Sequence, residues 1–270
     1  MGATLVVGDT HLKHGLILPR VDAVRERFGA DRVVFLGDYC DEWGTGDGWF
    51  LAALGLFADW VGNARAEGVR VDVLAGNHDF QYLLGEEGPG THAALMDEAA
   101  ALLRGLGVQV AETAGKYLLT HAGLTGDWAR RHLGAPRDSE DAKDRLNALL
   151  ERGAPSDMRA LASRGAGRGG WEVPSPLWAD RSELWEDPCA GIDQIVGHTP
   201  VATCERMPPA FGRARDGGEE LWLCDTFSIT PCREPHGDGS LLLVEDGRPW
   251  VVGGEDDPDL EPWLAALEAW

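Results

Sequence analysis

Six side chains in five separate stretches carry the chemistry of a metal centre: Asp9 with His11, then Asp38, Asn77, His121 and His198. Each stretch follows an apolar run by one or two residues, and Gly8, Gly37, Gly76 and Gly197 precede four of them. Glycine at such a place lets the backbone turn sharply and admits close approach. Carboxylate, imidazole and amide oxygen together suit divalent cations, with Mn2+ the first expectation and Fe, Zn or Mg the alternatives. The set is large enough for two ions. Asp38 can bridge them, Asp9 and His11 complete one site, and Asn77, His121 and His198 complete the other. Two such ions clamp an in-line displacement at phosphorus and acidify a water between them. The expected reaction is therefore hydrolysis of a phosphate ester by a metal-bridging hydroxide.

His78 follows Asn77 directly, so it can face the same site without binding metal. A proton donor to the leaving oxygen suits it. Asp41, three residues past Asp38, is placed to orient and charge that imidazole. A lone Asp after a strand is ordinarily a cap or turn residue. The assignment rests on five clusters of matching ligand type recurring at strand ends.

The elements that must gather these residues are short and nearly continuous in apolar character. Ala3–Val7, Arg32–Leu36, Val69–Leu74, Lys116–Leu119 and Ile192–Val196 read as strands covered on both faces. Pro19–Phe28, Trp49–Glu67, Thr91–Leu106 and Ser139–Glu151 read as helices, the last with Ser139 as its cap. Strands alternating with helices predict an α/β layered fold with its ligands at the carboxyl ends of the strands. Glu220–Cys224, Ser240–Glu245 and Pro249–Val252 add strands, and Glu261–Trp270 a tail helix. Gly153–Pro176 reads as a long loop, within a loop-rich insertion at about 153–190 of a single domain spanning 1–270.

The net charge of −21 argues against nucleic acid as a ligand. No apolar run is long enough for a membrane span, and the basic opening of a signal peptide is missing, so a cytoplasmic location is expected. Five cysteines without a CxxC pair predict reduced, mostly buried thiols. The oligomeric state stays open.

Gly8-Asp9-Thr10-His11, Gly37-Asp38-Tyr39-Cys40-Asp41, Gly76-Asn77-His78-Asp79, His121-Ala122-Gly123 and Gly197-His198-Thr199 resemble, in order, the motifs of the calcineurin-like metallophosphoesterases. Asp225-Thr226 resembles a late element of that family. The resemblance implies a four-layer α-β-β-α sandwich of two mixed sheets flanked by helices, the dinuclear site above, and His78 paired with Asp41. It is closest to the phosphoprotein phosphatase branch, which includes bacterial phosphatases and diadenosine tetraphosphatases. A phosphoprotein or small phosphorylated metabolite is then the expected substrate, and a dinucleoside polyphosphate the alternative. A metal-free scaffold is the third reading, and the retention of all six ligands and His78 speaks against it.

Two departures bear on substrate binding. Glu42 occupies the position of the family's phosphate-binding arginine, and Leu12 stands where glycine is usual. Arg181, in a Leu177-Trp178-Ala179-Asp180-Arg181 segment similar to that of bacterial members, is the candidate replacement, and Asn77 the other substrate contact. Arg164 and Arg168 rank below it. His14, His92, His132 and His236 are assigned surface or capping roles. Trp43, Trp49, Trp171 and Trp178 are assigned to the core, with a substrate cleft as the alternative.

Overall fold

The computed structural model describes residues 2–208, 219–230 and 232–269; Met1, and Trp270 at the end of the expected tail helix, lie outside the described residues. Two sheets form the centre. The first contains β1 (Ala3–Val7), β2 (Ala30–Phe35), β3 (Arg70–Val73), β9 (Leu241–Glu245) and β10 (Arg248–Val252), in the order β10-β9-β1-β2-β3. The second contains β4 (Ala111–Ala114), β5 (Tyr117–Thr120), β6 (Asp193–Pro200), β7 (Glu205–Arg206) and β8 (Leu221–Asp225), in the order β4-β5-β6-β8-β7. β1, β2 and β3 run parallel, as do β5, β6 and β8, while the remaining pairings are antiparallel.

Alternation along the strands builds the layers. Val6, Val34, Leu36, Leu119, Ile195 and Leu242 pack between the two sheets. Leu5, Val7, Val33 and Phe35 point the other way, into a cluster with α1 (His14–Phe28), α2 (Asp47–Ala66) and α4 (Met96–Leu106). Leu118 does the same on the second sheet, against α5 (Gly126–His132), α6 (Ser139–Arg152) and α7 (Pro155–Leu161). The result is the expected sandwich of two mixed sheets between helical layers. Strands buried on both faces explain the unbroken apolar runs. Among the described residues no helix is long and apolar enough to cross a membrane.

Several local expectations are corrected. α1 begins at His14, so Pro19 lies inside it; burial of Ile17, Leu18, Val21 and Val24 offsets the hydrogen bond that proline forgoes. Asp138, not Ser139, caps α6, its carboxylate accepting from the Asp141 N–H at 2.8 Å. The stretch read as a loop holds α7 and a 3-10 turn at Ala166–Arg168. Pro155 at the first helical position starts α7, and buried Leu161 anchors its end. α3 (Asn77–Leu84), α8 (Arg181–Glu186), β4 and β7 are further short elements that the apolar pattern did not mark.

Candidate metal centre

Asp9 follows β1, Asp38 follows β2, Asn77 opens α3, His121 follows β5, and His198 lies within β6. The six predicted ligands converge at one edge of the sandwich. His198 differs from the expectation of a residue past its strand: an irregularity in register between Val196 and Pro200, with a φ of 65° at His198, turns it inward.

One oxygen organises the centre. Asp38 Oδ2 lies 3.6 Å from His11 Nε2 and 3.5 Å from His121 Nε2. Asp9, His11 and Asp38 form one group of converging ligand atoms, and Asp38, His121 and His198 form a second. Asn77 Oδ1 and His198 Nδ1 each approach His121 Nε2 to 3.0 Å. The outer hydrogen bonds fix the ring orientations. His121 Nδ1 donates to the Leu36 carbonyl at 3.0 Å, and His11 Nδ1 to the Asp41 carbonyl at 2.9 Å, which leaves each Nε2 lone pair for the centre. His198 N–H donates to Asp9 Oδ1 at 2.9 Å.

The glycines that precede these residues are required by close approach. A Cβ on Gly76 would lie 2.0 Å from Asp38 Oδ1, and one on Gly197 would lie 2.2 Å from Asp9 Oδ1.

The donor set fits divalent cations. Burial, aided by positive neighbours, pushes His121 down to about 3 and holds His11 and His198 well below the ordinary imidazole range, so all three are neutral and ready to ligate. Burial and the crowding of carboxylates raise Asp9 well above its ordinary range, and burial, with Asp79 and Asp225 nearby, raises Asp38 to about 8. Neighbouring buried carboxylates repel until a cation neutralises them. His198 Nε2 and Asp225 Oδ1 are buried without a hydrogen-bond partner.

His78 sits beside the ligands. Its Nδ1 bonds Asp41 Oδ2 at 2.9 Å. Asp41 is held in turn by Gln81 Nε2 at 2.5 Å and Tyr82 Oη at 2.6 Å. Burial pulls the His78 imidazolium down, but Asp38, Asp41 and Asp79 outweigh it and raise the group to about 9. His78 therefore holds a proton at neutral pH.

Two residues of the centre were not assigned roles from sequence. Asp79 is fully buried and accepts from the backbone N–H groups of Asp38 (2.7 Å), Tyr39 (2.9 Å), Cys40 (3.1 Å) and Gly76 (2.8 Å). It pins the loop that presents Asp38. Its position in Asn77-His78-Asp79 was the available signal. Lys13 is fully buried; its Nζ donates to the His11 carbonyl at 3.3 Å and to Glu42. Nothing in the local pattern marks that lysine as buried.

A cavity of about 650 Å³ opens over the ligands, lined also by Asp41, Glu42, Trp43, Arg168, Trp178 and Asp225. Arg168, not Arg181, reaches it. Arg181 opens α8 and pairs with Glu205 at 2.8 Å, which takes its guanidinium away from the centre. Arg168 Nη2 donates to Thr199 Oγ1 at 2.8 Å and to the His198 carbonyl at 3.3 Å. Arg164 stacks on Trp178 at 3.9 Å and lines a neighbouring cavity.

Of the other histidines and tryptophans, His132 and His236 are exposed and Trp178 is buried, as expected, while the rest differ. His14 is buried, with Nδ1 donating to the Ala53 carbonyl at 2.9 Å and its ring stacked on Phe57. His92 pairs with Asp47 at 2.7 Å and, like His236, lines the cavity, while His132 is exposed at the end of α5. Of the four tryptophans only Trp178 is buried; Trp43 is 59% exposed at the cavity, and Trp49 and Trp171 are exposed elsewhere. Cys40, Cys189, Cys204 and Cys224 are buried free thiols, and Cys232 is exposed.

The calcineurin-like phosphoesterase family model matches residues 3–238. Solved structures share the fold. The cold-active protein-tyrosine phosphatase of a psychrophile, Shewanella sp., is 18% identical over 93% of this chain and 77% of its own, with a TM-score of 0.54. A protein serine/threonine phosphatase from Saccharomyces cerevisiae with similarity to human phosphatase PP5 is 16% identical over 97% of this chain and 83% of its own, with a TM-score of 0.52. No curated protein sequence matches significantly.

Proposed function

The chain belongs to the calcineurin-like phosphoesterases, metal-dependent hydrolases of the phosphatase type, and from that membership we propose that it hydrolyses phosphate esters with two divalent cations held by Asp9, His11, Asp38, Asn77, His121 and His198. The observation that carries this reading is the position of Asp38 Oδ2, shared between His11 Nε2 at 3.6 Å and His121 Nε2 at 3.5 Å. A carboxylate common to two groups of converging donors could hold a pair of ions together. Mn2+ is the first candidate, because carboxylate and imidazole are mixed and no thiolate joins them. When bound, such cations supply Lewis acidity toward phosphoryl oxygens and acidify water.

The chain's own residues do the rest. His78 carries the proton that the leaving oxygen needs, and Asp41 holds the ring by its Nδ1 so that the opposite nitrogen faces outward. Asn77 and Arg168 border the space where a phosphoryl group would sit, which gives Arg168 the orienting role that sequence alone assigned to Arg181.

Elemental analysis joined to a hydrolysis assay tests the proposal. Two divalent ions per chain and turnover of a p-nitrophenyl phosphate ester are expected. A chain that takes up at most one ion, or that turns over neither the mono- nor the bis-ester after manganese loading, refutes it.

A further inference from the structure

We infer that this centre prefers phosphodiesters to phosphomonoesters, because each cationic side chain at its cavity is already matched by a carboxylate of the chain. The inference rests on the phosphoesterase reading above and narrows its substrate class away from phosphoproteins.

Three pairs carry the argument. Lys13, wholly buried, is spent on Glu42, whose side chain is only 4% exposed yet lines the cavity. Glu42 Oε1 also accepts the Trp43 N–H at 2.8 Å, which fixes the carboxylate in the wall. Arg168, the one arginine or lysine among the described lining residues, forms an ion pair with Asp180 (Nε to Oδ2, 3.2 Å) without a hydrogen bond from Nε, and donates through Nη2 to Thr199 and the His198 carbonyl. His78 is paired with Asp41 at 2.9 Å. Among the described residues no acid pairs with Arg164, but it lines the neighbouring cavity beyond Trp178.

A phosphomonoester carries a charge of about −1.5 to −2 at neutral pH on three non-bridging oxygens. A diester carries a single charge on two. When bound, two cations would serve two oxygens. The third oxygen of a monoester would then meet a wall containing the Glu42 carboxylate, with no positive group beyond Arg168 and His78, each already paired with a carboxylate, among the described lining residues to receive it. In a diester that place is taken by a neutral ester arm. Trp43, Pro89, Thr91 and Ile229 give the cavity uncharged surface for such an arm, and a volume of about 650 Å³ leaves room for substituents on both ester oxygens.

The test compares bis-p-nitrophenyl phosphate with p-nitrophenyl phosphate on the manganese-loaded full chain. Both release the same phenolate, so the demand on His78 is equal. A missing charge-assisted contact to phosphate corresponds to roughly a tenfold to hundredfold loss, so kcat/KM for the diester should exceed that for the monoester by about that factor. Equal values, or a faster monoester, overturn the inference while leaving the phosphoesterase reading intact. Turnover of neither ester overturns both. Glu42→Gln keeps an acceptor for Lys13 and releases the lysine charge, so the diester-to-monoester ratio should fall several-fold; an unchanged ratio counts against the wall's role. If that variant does not fold, competition on the wild type decides: dimethyl phosphate should inhibit at lower concentration than orthophosphate, and the reverse order overturns the inference.

Discussion

Asp79→Asn tests what holds the Asp38 carboxylate in place. In the native chain Asp79 Oδ2 receives the N–H groups of Asp38 at 2.7 Å and Gly76 at 2.8 Å, and Oδ1 those of Tyr39 at 2.9 Å and Cys40 at 3.1 Å. Asparagine replaces one oxygen by an NH2 group. Two buried N–H donors would then face another donor, at about 1–3 kcal/mol each. The other two bonds fall from charge-assisted to neutral, at about 1 kcal/mol each. Against this stands relief from burying a carboxylate, a burden visible in the raised pKa of Asp79, and worth several kcal/mol. The net expectation is a destabilisation of about 1–5 kcal/mol, which for a chain of this size lowers the melting temperature by roughly 2–4 °C per kcal/mol. Asp38 should lose its aim in consequence, so manganese affinity should fall although Asp79 is not a ligand. Urea unfolding and calorimetric titration of manganese measure the two effects. A loss under 1 kcal/mol with unchanged metal affinity would mean that the Asp38 loop holds its own conformation, and would refute the reasoning.

Further outcomes are expected. His78→Asn should retain both metals by elemental analysis while turnover of esters with poor leaving groups falls about 10²–10⁴-fold; loss of metal would make His78 a ligand instead. Arg168→Ala should raise KM several-fold and Arg181→Ala should leave it unchanged, because only Arg168 reaches the cavity; the opposite ranking would return the phosphate contact to Arg181. The metal-free protein should lose stability between about pH 7 and about pH 8. In that window the buried histidines are neutral in the fold and largely neutral in the unfolded chain, so they add little slope. Asp38, raised to about 8, keeps its proton in the fold where an unfolded aspartate has lost it, and His78, raised to about 9, does likewise. Both contributions are present at low pH and fade as pH rises through those values. Thermal melts in chelator should therefore fall with pH, and saturating manganese, which favours ionised Asp38, should remove or reverse the slope.

The centre was legible in sequence to the extent that its residues lie at the ends of buried strands. Asp9, Asp38 and His121 follow continuous apolar runs, and the preceding glycines announced the close approaches that Gly76 and Gly197 make to Asp38 and Asp9. Side chains held by tertiary partners were not legible. Arg181 and Arg168 look alike along the chain, and the difference is made by Glu205 and Asp180, which no local pattern pairs with them. The same holds for Lys13, whose burial depends on Glu42, 29 positions away. α7 was missed because glycine and arginine around it obscure a helix whose stability comes from Leu161 packing under α5, where the Trp128 indole also donates to the Ala160 carbonyl at 3.2 Å.

The backbone links these partial readings. Seven described non-glycine residues have positive φ, and five belong to the centre: His11 (40°), Leu12 (58°), Asp38 (54°), Asp41 (64°) and His198 (65°). Each costs about 1–2 kcal/mol, which in sum approaches the net stability of an ordinary domain. Strain concentrated at ligands persists only where the surroundings over-determine it. Asp79 fixes Asp38, the His11 N–H donates to the Asp38 carbonyl at 2.8 Å, and Asp9 holds the His198 N–H. Leu12 takes a left-handed conformation that glycine would adopt freely, but it is 1% exposed in the core, and burying a leucine offsets the strain. The geometry of the proposed ligands is therefore set by the fold itself. What the fold leaves is the crowding of the Asp9, Asp38 and Asp225 carboxyl groups, so a cation taken up there would raise folding stability.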